Sequence, residues 1–481
     1  MIDSRFFRQE CYINGAWVGA DGDTIAVNNP ATGEIIGQIP RFGGAETRTA
    51  IDAAQDAFLE WRTLPAGERS RYCMAFHDAL MDNKDDLARL LTIEMGKPLA
   101  EAAGEVAYSA AFFKWFAEEA RRIYGDVIPS PWPDKRIVVT KEPVGVVGSI
   151  TPWNFPTAMI ARKAAAALST GCTIVCKPAS QTPFSAIAYG VIAEEVGLPK
   201  GVLNVVTGSA AAIADEMCAH PKLRKITFTG STPIGKQLAA NAARHMKRVS
   251  MELGGNAPFI VFDDADIDRA VDGAMASKYR NSGQTCVCAN RLYVQAGVYD
   301  AFAEKLAAKV RAMTIGDGLD DGVDQGPLID ASAVAKVEEH IEDATAKGAT
   351  VAVGGARHAK GHTFFQPTVL TGVSQDMLIA NDETFGPIAP LFKFDTEEEV
   401  IRYANDTEFG LASYFYTEDL GRAWRVMEAL EYGMVAINEG ILSTEVAPFG
   451  GVKDSGMGRE GSYYGVEDYI NVKYGLMGGL K

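Results

Sequence analysis

The sequence predicts an α/β fold of parallel sheets covered by helices on both faces, and three observations carry that prediction. From Val144 onward, short apolar runs alternate with stretches of helical periodicity. A second series of the same kind runs from about 258 to 437. The chain has 481 residues, 47% hydrophobic and 22% charged, which exceeds what one core usually organises and leaves no room for a long disordered region. Length alone suggests roughly two to three domains.

Taken in order, the N-terminal run Met1 to Glu10 mixes charges of both signs and lacks the apolar stretch of a secretory signal. No apolar run approaches the ~18 residues of a membrane span, so a cytoplasmic protein with no membrane partner is expected. Residues 51–61, 72–91 and 103–123 carry apolar side chains at spacings of three and four, so the first third reads as helices. In 126–141, Pro129, Pro131 and Pro133 precede Ile137-Val138-Val139-Thr140, the pattern of an exposed ribbon. Beyond it, strands are expected at 144–150, 173–176, 202–206 and 225–228, with helices near 157–170, 184–196, 210–219 and 233–245. Ligands of such sheets bind beyond the strand C-termini.

Charge and metal-ligand types exclude several functions. The net charge is −16 and no cluster of Lys and Arg forms a stripe, so nucleic acid is not expected as a partner. Seven cysteines scattered through apolar patterns make no disulfide framework. Of the six histidines, His358 and His362 are four apart, but Gly361 and polar neighbours place them in a loop, so no metal site is expected.

Several segments just past expected strands carry chemistry. In Thr151-Pro152-Trp153-Asn154-Phe155-Pro156 two prolines fix a turn; Asn154 is either a turn residue or a donor to a developing oxyanion. Lys177-Pro178-Ala179-Ser180 puts a cation and a hydroxyl at a strand end. Phe228-Thr229-Gly230-Ser231-Thr232-Pro233 is strand, glycine turn and helix start, which suits phosphate or is a plain helix cap. Met251-Glu252-Leu253-Gly254-Gly255-Asn256 ends a strand with a carboxylate that is either simply solvated or, in an apolar setting, a base. Cys286 lies in Asn281-Ser282-Gly283-Gln284-Thr285-Cys286-Val287-Cys288, a polar run where a thiol can face a cleft.

With Glu383-Thr384-Phe385-Gly386-Pro387 and Pro448-Phe449-Gly450-Gly451-Val452-Lys453-Asp454-Ser455-Gly456, these segments resemble the NAD(P)-dependent aldehyde dehydrogenases over nearly the whole chain. The resemblance implies that Cys286 attacks an aldehyde, that Asn154 and the Cys286 N–H hold the oxyanion, and that Glu252 activates the water that hydrolyses the thioester. It implies a cofactor site of Thr151, Pro152, Trp153 and Gly230, with Lys177 on the adenosine ribose, Ser231 on the pyrophosphate, Glu383 on the nicotinamide ribose and Phe385 against the nicotinamide. Many NAD-preferring relatives carry Glu where this chain has Ser180. Its absence removes a like-charge repulsion of the 2′-phosphate, so NADP is the expected cofactor and NAD a weaker substitute.

Cys286-Val287-Cys288 and the stretch 438–445 are most similar to the succinate semialdehyde dehydrogenases. That likeness implies a short aldehyde with a distal carboxylate held by Arg162, Arg280 and Ser443. Glutarate semialdehyde is one methylene longer and stays open, because one methylene discriminates by only ~1 to 3 kcal/mol. Cys288 is either a small packed residue or a redox partner of Cys286, through a disulfide that i, i+2 spacing would strain. A non-catalytic member of the fold is the contrasting reading, opposed by intact Cys286, Glu252 and Asn154.

The architecture the resemblance implies is a Rossmann-like cofactor-binding domain of 1–121 and 143–253 and an α/β catalytic domain of 254–461. A β oligomerisation arm of 122–142 with 462–481 would make a homodimer or homotetramer.

Overall fold

The computed structural model describes residues 5–480; residues 1–4 of the charged N-terminal run and residue 481 of the expected arm lie outside it. An eight-stranded sheet orders its strands Gly456–Met457, Arg248–Glu252, Leu223–Thr229, Val146–Ile150, Thr173–Lys177, Leu203–Val205, Cys11–Ile13 and Ala16–Val18. The five from Arg248–Glu252 to Leu203–Val205 pair in parallel, and the strands outside them run antiparallel. Successive side chains alternate between two apolar cores: Val147, Ile174 and Cys176 enter one, Val146 and Val175 the other. Burial on both faces is what makes these strands read as continuous β-branched runs.

The order contains a switch. From Val146–Ile150 the chain builds outward on one side through Thr173–Lys177 and Leu203–Val205, then returns to the other side with Leu223–Thr229. A crevice therefore opens beyond Ile150 and Thr229, the place where parallel sheets bind ligands. The segments that begin at Thr151 and Gly230 line it.

A seven-stranded sheet follows in the order Thr350–Val353, Thr368–Val373, Ile388–Phe394, Ala289–Gln295, Ala257–Val261, Ala412–Tyr416 and Met434–Ile437, all parallel except the first pair. Glu252 ends a strand of the first sheet and Ala257 starts one of the second, so 253–256 cross between them. Cys286 precedes Ala289–Gln295, which brings the start of a strand in the second sheet to the crevice of the first. Away from both, Asp126–Ile128, Arg136–Pro143 and Ile470–Met477 form a three-stranded antiparallel sheet with the three prolines in its turn.

Three sequence expectations are corrected. Residues 72–91 are not one helix: Ala66–Asp82 ends and Lys84–Met95 begins at Asn83, which leaves helical geometry (φ −110°, ψ 17°) and donates its side-chain N–H to the Ala79 carbonyl. The helix expected at 103–123 runs Leu99–Glu119 and tightens into a 3-10 turn at Ala120–Arg122. Residues 5–40 are not helical but hold the short strands Cys11–Ile13, Ala16–Val18, Thr24–Asn28 and Ile35–Pro40. Runs of three to six residues are too short to show a period against helix-like spacing further on.

Candidate active site

The Cys286 loop is held in a conformation that most residues avoid. Asn281 (φ 52°), Ser282 (φ 57°) and Gly283 (φ 72°) are left-handed in succession. Each non-glycine residue there costs ~1 kcal/mol or more, so neighbours must over-determine the loop. Glu101 accepts the Asn281 N–H at 2.8 Å, Ser282 donates to the Gly326 carbonyl at 3.0 Å, and the Gln284 side chain accepts from the Ile329 N–H at 2.9 Å. At Gly283 a Cβ would meet the Gly386 carbonyl oxygen at 2.2 Å, which fixes glycine twice over.

Two cavities meet at Cys286. One, about 210 Å³, is lined by Pro152, Trp153, Gly230, Ser231, Glu383 and Phe385. The other, about 270 Å³, is lined by Tyr108, Arg162, Arg280, Ser443 and Phe449. Asn154 belongs to the first and Phe155 to both. The expected nucleophile, oxyanion donor and substrate residues are thus brought together.

The Cys286 sulfur keeps partial solvent access at this junction, while the surrounding protein desolvates its charged form. Burial first, and then the Glu383 carboxylate, push its pKa up to about 12, against the pull of Arg162 and Arg280. The thiol is therefore protonated at neutral pH. Glu383 is itself raised to about 7 by burial, although the Gly255 N–H donates to it at 3.0 Å.

Glu252 is buried, and neither carboxyl oxygen has a hydrogen-bond partner among the described residues. Burial, and then the neighbouring Glu460 carboxylate, raise its pKa well above the ordinary range. It lines neither cavity, although its chain neighbours Leu253 and Gly254 line the first. Burial also works against the Glu460 charge, but Lys163 and Arg162 outweigh it and hold that carboxylate low. Lys163 donates to Glu460 at 2.6 Å and to Thr229 at 2.5 Å. The Arg162–Glu460 contact, 2.8 Å, is an ion pair whose N–H is not aligned for a hydrogen bond, so Arg162 keeps unsatisfied N–H groups.

Asn154 is fixed from both ends. Its carbonyl oxygen accepts from Lys97 at 2.8 Å and from the Asn281 side chain at 3.0 Å, and its amide donates one N–H to the Gln284 carbonyl at 3.0 Å. An NH₂ group has two hydrogens, so one remains for an oxyanion. Glu105 pairs with Lys97 at 2.5 Å and accepts from the Thr157 N–H (2.9 Å) and Ala158 N–H (3.1 Å) at the start of helix Pro156–Thr170. Burial lowers the Lys97 pKa, and this carboxylate opposes the shift.

On the cofactor side the residues present fit a dinucleotide. Lys177 is buried with no hydrogen bond or ion pair for its ammonium among the described residues, and burial lowers its pKa to about 8. Ser231 caps helix Thr232–Ala243 without a side-chain bond, leaving N–H groups at the helix start for phosphate. Trp153 and Phe385 meet edge to face at 5.5 Å beside Glu383. Thr151, Lys177 and Ser180 do not line the cavities at Cys286. Thr151 is buried, its N–H bonded to the Lys177 carbonyl at 3.1 Å, and Ser180 opens onto a separate groove of about 560 Å³.

Sequence reasoning missed Lys97, Glu105, Glu460 and Tyr108. Glu105 had a signal, a carboxylate among the apolar Ala102, Val106 and Ala110 on one face of an amphipathic helix, where only a buried partner makes sense. Phe449, quoted only within a motif, places its ring 3.9 Å from the Arg162 guanidinium. Cys288 is buried, with Gly283 O at 3.3 Å and Asn290 Oδ1 and Lys278 Nζ each at 3.5 Å. Its thiol is free and lines neither cavity. Among the described residues no group of three or more side chains could hold a metal ion, and no helix is long and apolar enough to cross a membrane.

Residues 17–474 match the family model described as the Aldehyde dehydrogenase family. Glutarate-semialdehyde dehydrogenase of Pseudomonas aeruginosa is 63% identical over 99% of each chain. The NADP(+) succinate-semialdehyde dehydrogenase GabD of Escherichia coli is 60% identical over 99% of each chain. The crystal structure of succinate-semialdehyde dehydrogenase from Burkholderia pseudomallei superposes with a TM-score of 0.98 at 58% identity over 99% of each chain.

Proposed function

The chain belongs to the aldehyde dehydrogenase family, and from that premise we propose that it oxidises succinate semialdehyde to succinate with NADP as preferred acceptor. The observation that carries the substrate is a single cavity of about 270 Å³ in which Arg162, Arg280 and Ser443 stand with Cys286. Guanidinium forks suit a carboxylate, and among the described residues Arg280 has no ion-pair partner. NADP is supported by the unpaired Lys177 cation, by Ser180 in place of a carboxylate, and by the NADP(+)-named relative.

The Cys286 thiol gives its proton to solvent water at the cavity junction, its sulfur adds to the aldehyde carbon, and Asn154 with the Cys286 N–H holds the resulting oxyanion. Trp153, Glu383 and Phe385 would hold the nicotinamide end of the cofactor, which when bound would supply the acceptor for the hydride that leaves that carbon. The thioester left on Cys286 is cleaved by water that Glu252 deprotonates. The carbon–sulfur bond breaks, succinate leaves and the thiol is restored. Residues 1–121 with 143–253 are assigned to cofactor binding, 254–461 to catalysis, and 122–142 with 462–481 to assembly.

Glutarate semialdehyde is the second reading, favoured by the 63% identity to a protein of that name. The test is kcat/KM with succinate semialdehyde, glutarate semialdehyde and butanal, each with NADP and NAD. We expect both semialdehydes to exceed butanal by at least a hundredfold and NADP to exceed NAD. A butanal value equal to that of the semialdehydes would refute the carboxylate reading.

A further inference from the structure

We propose that Tyr108 is a fourth carboxylate-binding residue, its phenol hydroxyl completing the set formed by Arg162, Arg280 and Ser443. The inference rests on the carboxylate reading above. Helix Leu99–Glu119 turns one face to the substrate cavity, with Glu101, Gly104, Glu105 and Tyr108 at the i, i+3, i+4, i+7 positions of one stripe. Gly104 leaves that wall open, since a Cβ there would meet nothing within 4 Å. The Tyr108 ring is pinned edge-on against Phe112, with centroids 5.0 Å apart. Its hydroxyl is buried and has no hydrogen-bond partner among the described residues.

A buried hydroxyl without a partner is unfavourable, so a ligand is implied. The groups around it say which kind. Burial raises the Tyr108 pKa against the charges of Arg162 and Arg280, which line the same cavity, and Glu460 and Glu445 add to the rise. Guanidinium groups donate and cannot accept, so neither arginine can take the phenol hydrogen. A buried N–H of Arg162, on Nη2, is likewise unpaired. The carboxylates that also line this cavity are engaged elsewhere, Glu101 by the Asn281 N–H and Glu105 by Lys97, Thr157 and Ala158, so the donors of Arg162, Arg280, Ser443 and Tyr108 suit an acceptor-rich anion. A carboxylate offers two oxygens with about four lone-pair sites, enough for the two arginines, Ser443 and Tyr108.

The test is Tyr108→Phe, which keeps the ring against Phe112 and removes only the hydroxyl, with Tyr108→Leu as a second variant should the first fold poorly. Kinetics are measured for succinate semialdehyde, glutarate semialdehyde and butanal. A lost hydrogen bond to a charged group predicts a fall in kcat/KM of about tenfold or more for both semialdehydes, carried by KM and at least tenfold larger than any change with butanal. Equal losses on all three aldehydes, or none, overturn the assignment while leaving the carboxylate reading intact. A parent enzyme that does not prefer the semialdehydes over butanal fails the carboxylate reading itself, whatever the variant does.

Discussion

Cys286 is a protonated thiol with its counter-charges arranged around it. Burial and Glu383 raise its pKa to about 12, while Arg162 and Arg280 pull the other way. A thiolate is favoured by nearby cations and disfavoured by nearby anions, so removing the Glu383 charge lowers this pKa. Iodoacetamide alkylation of the cofactor-free protein is therefore expected to keep accelerating with pH beyond the usual thiol range near 9. In Glu383→Gln the alkylation profile moves to lower pH, and an unmoved profile would show that the two groups do not interact. Cys286, the proposed nucleophile, was legible from the polar run before it, but its acidity was not. That depends on Glu383 and Arg162, about a hundred residues away along the chain in either direction, which only the fold brings close.

At the scale of elements, Asn154, the proposed oxyanion donor, is set by helices far from it in sequence. Lys97, between helices Lys84–Met95 and Leu99–Glu119, ties the Asn154 carbonyl to Glu105, which in turn closes the start of helix Pro156–Thr170. Among these groups the Lys97–Glu105 pair is fully buried, and breaking such a pair typically costs about 3 to 5 kcal/mol. Lys97→Met is expected to lower Tm and to reduce kcat/KM by up to about a hundredfold through displacement of Asn154. The loss should be the same for semialdehydes and butanal, because the defect lies at the carbonyl end of the substrate; a loss confined to semialdehydes would contradict it. Strands from Val146 onward were legible because burial on both faces gives long β-branched runs. The break at Asn83 was not, since apolar spacing continues through it while Asn83 leaves helical φ/ψ and caps Ala79 with both its backbone and side-chain N–H. The carboxylate of Glu105 was readable in principle from its place on an apolar stripe.

At the scale of the whole molecule, two cavities meet at one sulfur, assigned above to substrate and cofactor, and a separate three-stranded ribbon lies apart from the two large sheets. That ribbon leaves Val127 77% and Val472 70% exposed, and unpaired strand edges with apolar side chains invite pairing with another copy. A homodimer or homotetramer is expected in light scattering at micromolar concentration. Val472→Lys with Tyr474→Lys should shift the population toward smaller species, and a parent that is only monomeric would contradict the assembly role. The motifs at 151–156, 228–236, 251–256 and 281–288 announced the active site because each follows or precedes a strand at the crevice. The Glu460 network and the unpaired Tyr108 hydroxyl stayed hidden, being pairings across hundreds of residues and a burial no local pattern records. The central claim is acyl transfer through Cys286 followed by hydrolysis that needs Glu252. It is tested most directly by mass spectrometry of Glu252→Gln after mixing with succinate semialdehyde and NADP. A succinyl thioester on the peptide bearing Cys286, accumulating with about one NADPH per subunit before turnover stalls, is the expected result. Turnover at the parental rate with no adduct on Cys286 would contradict the account.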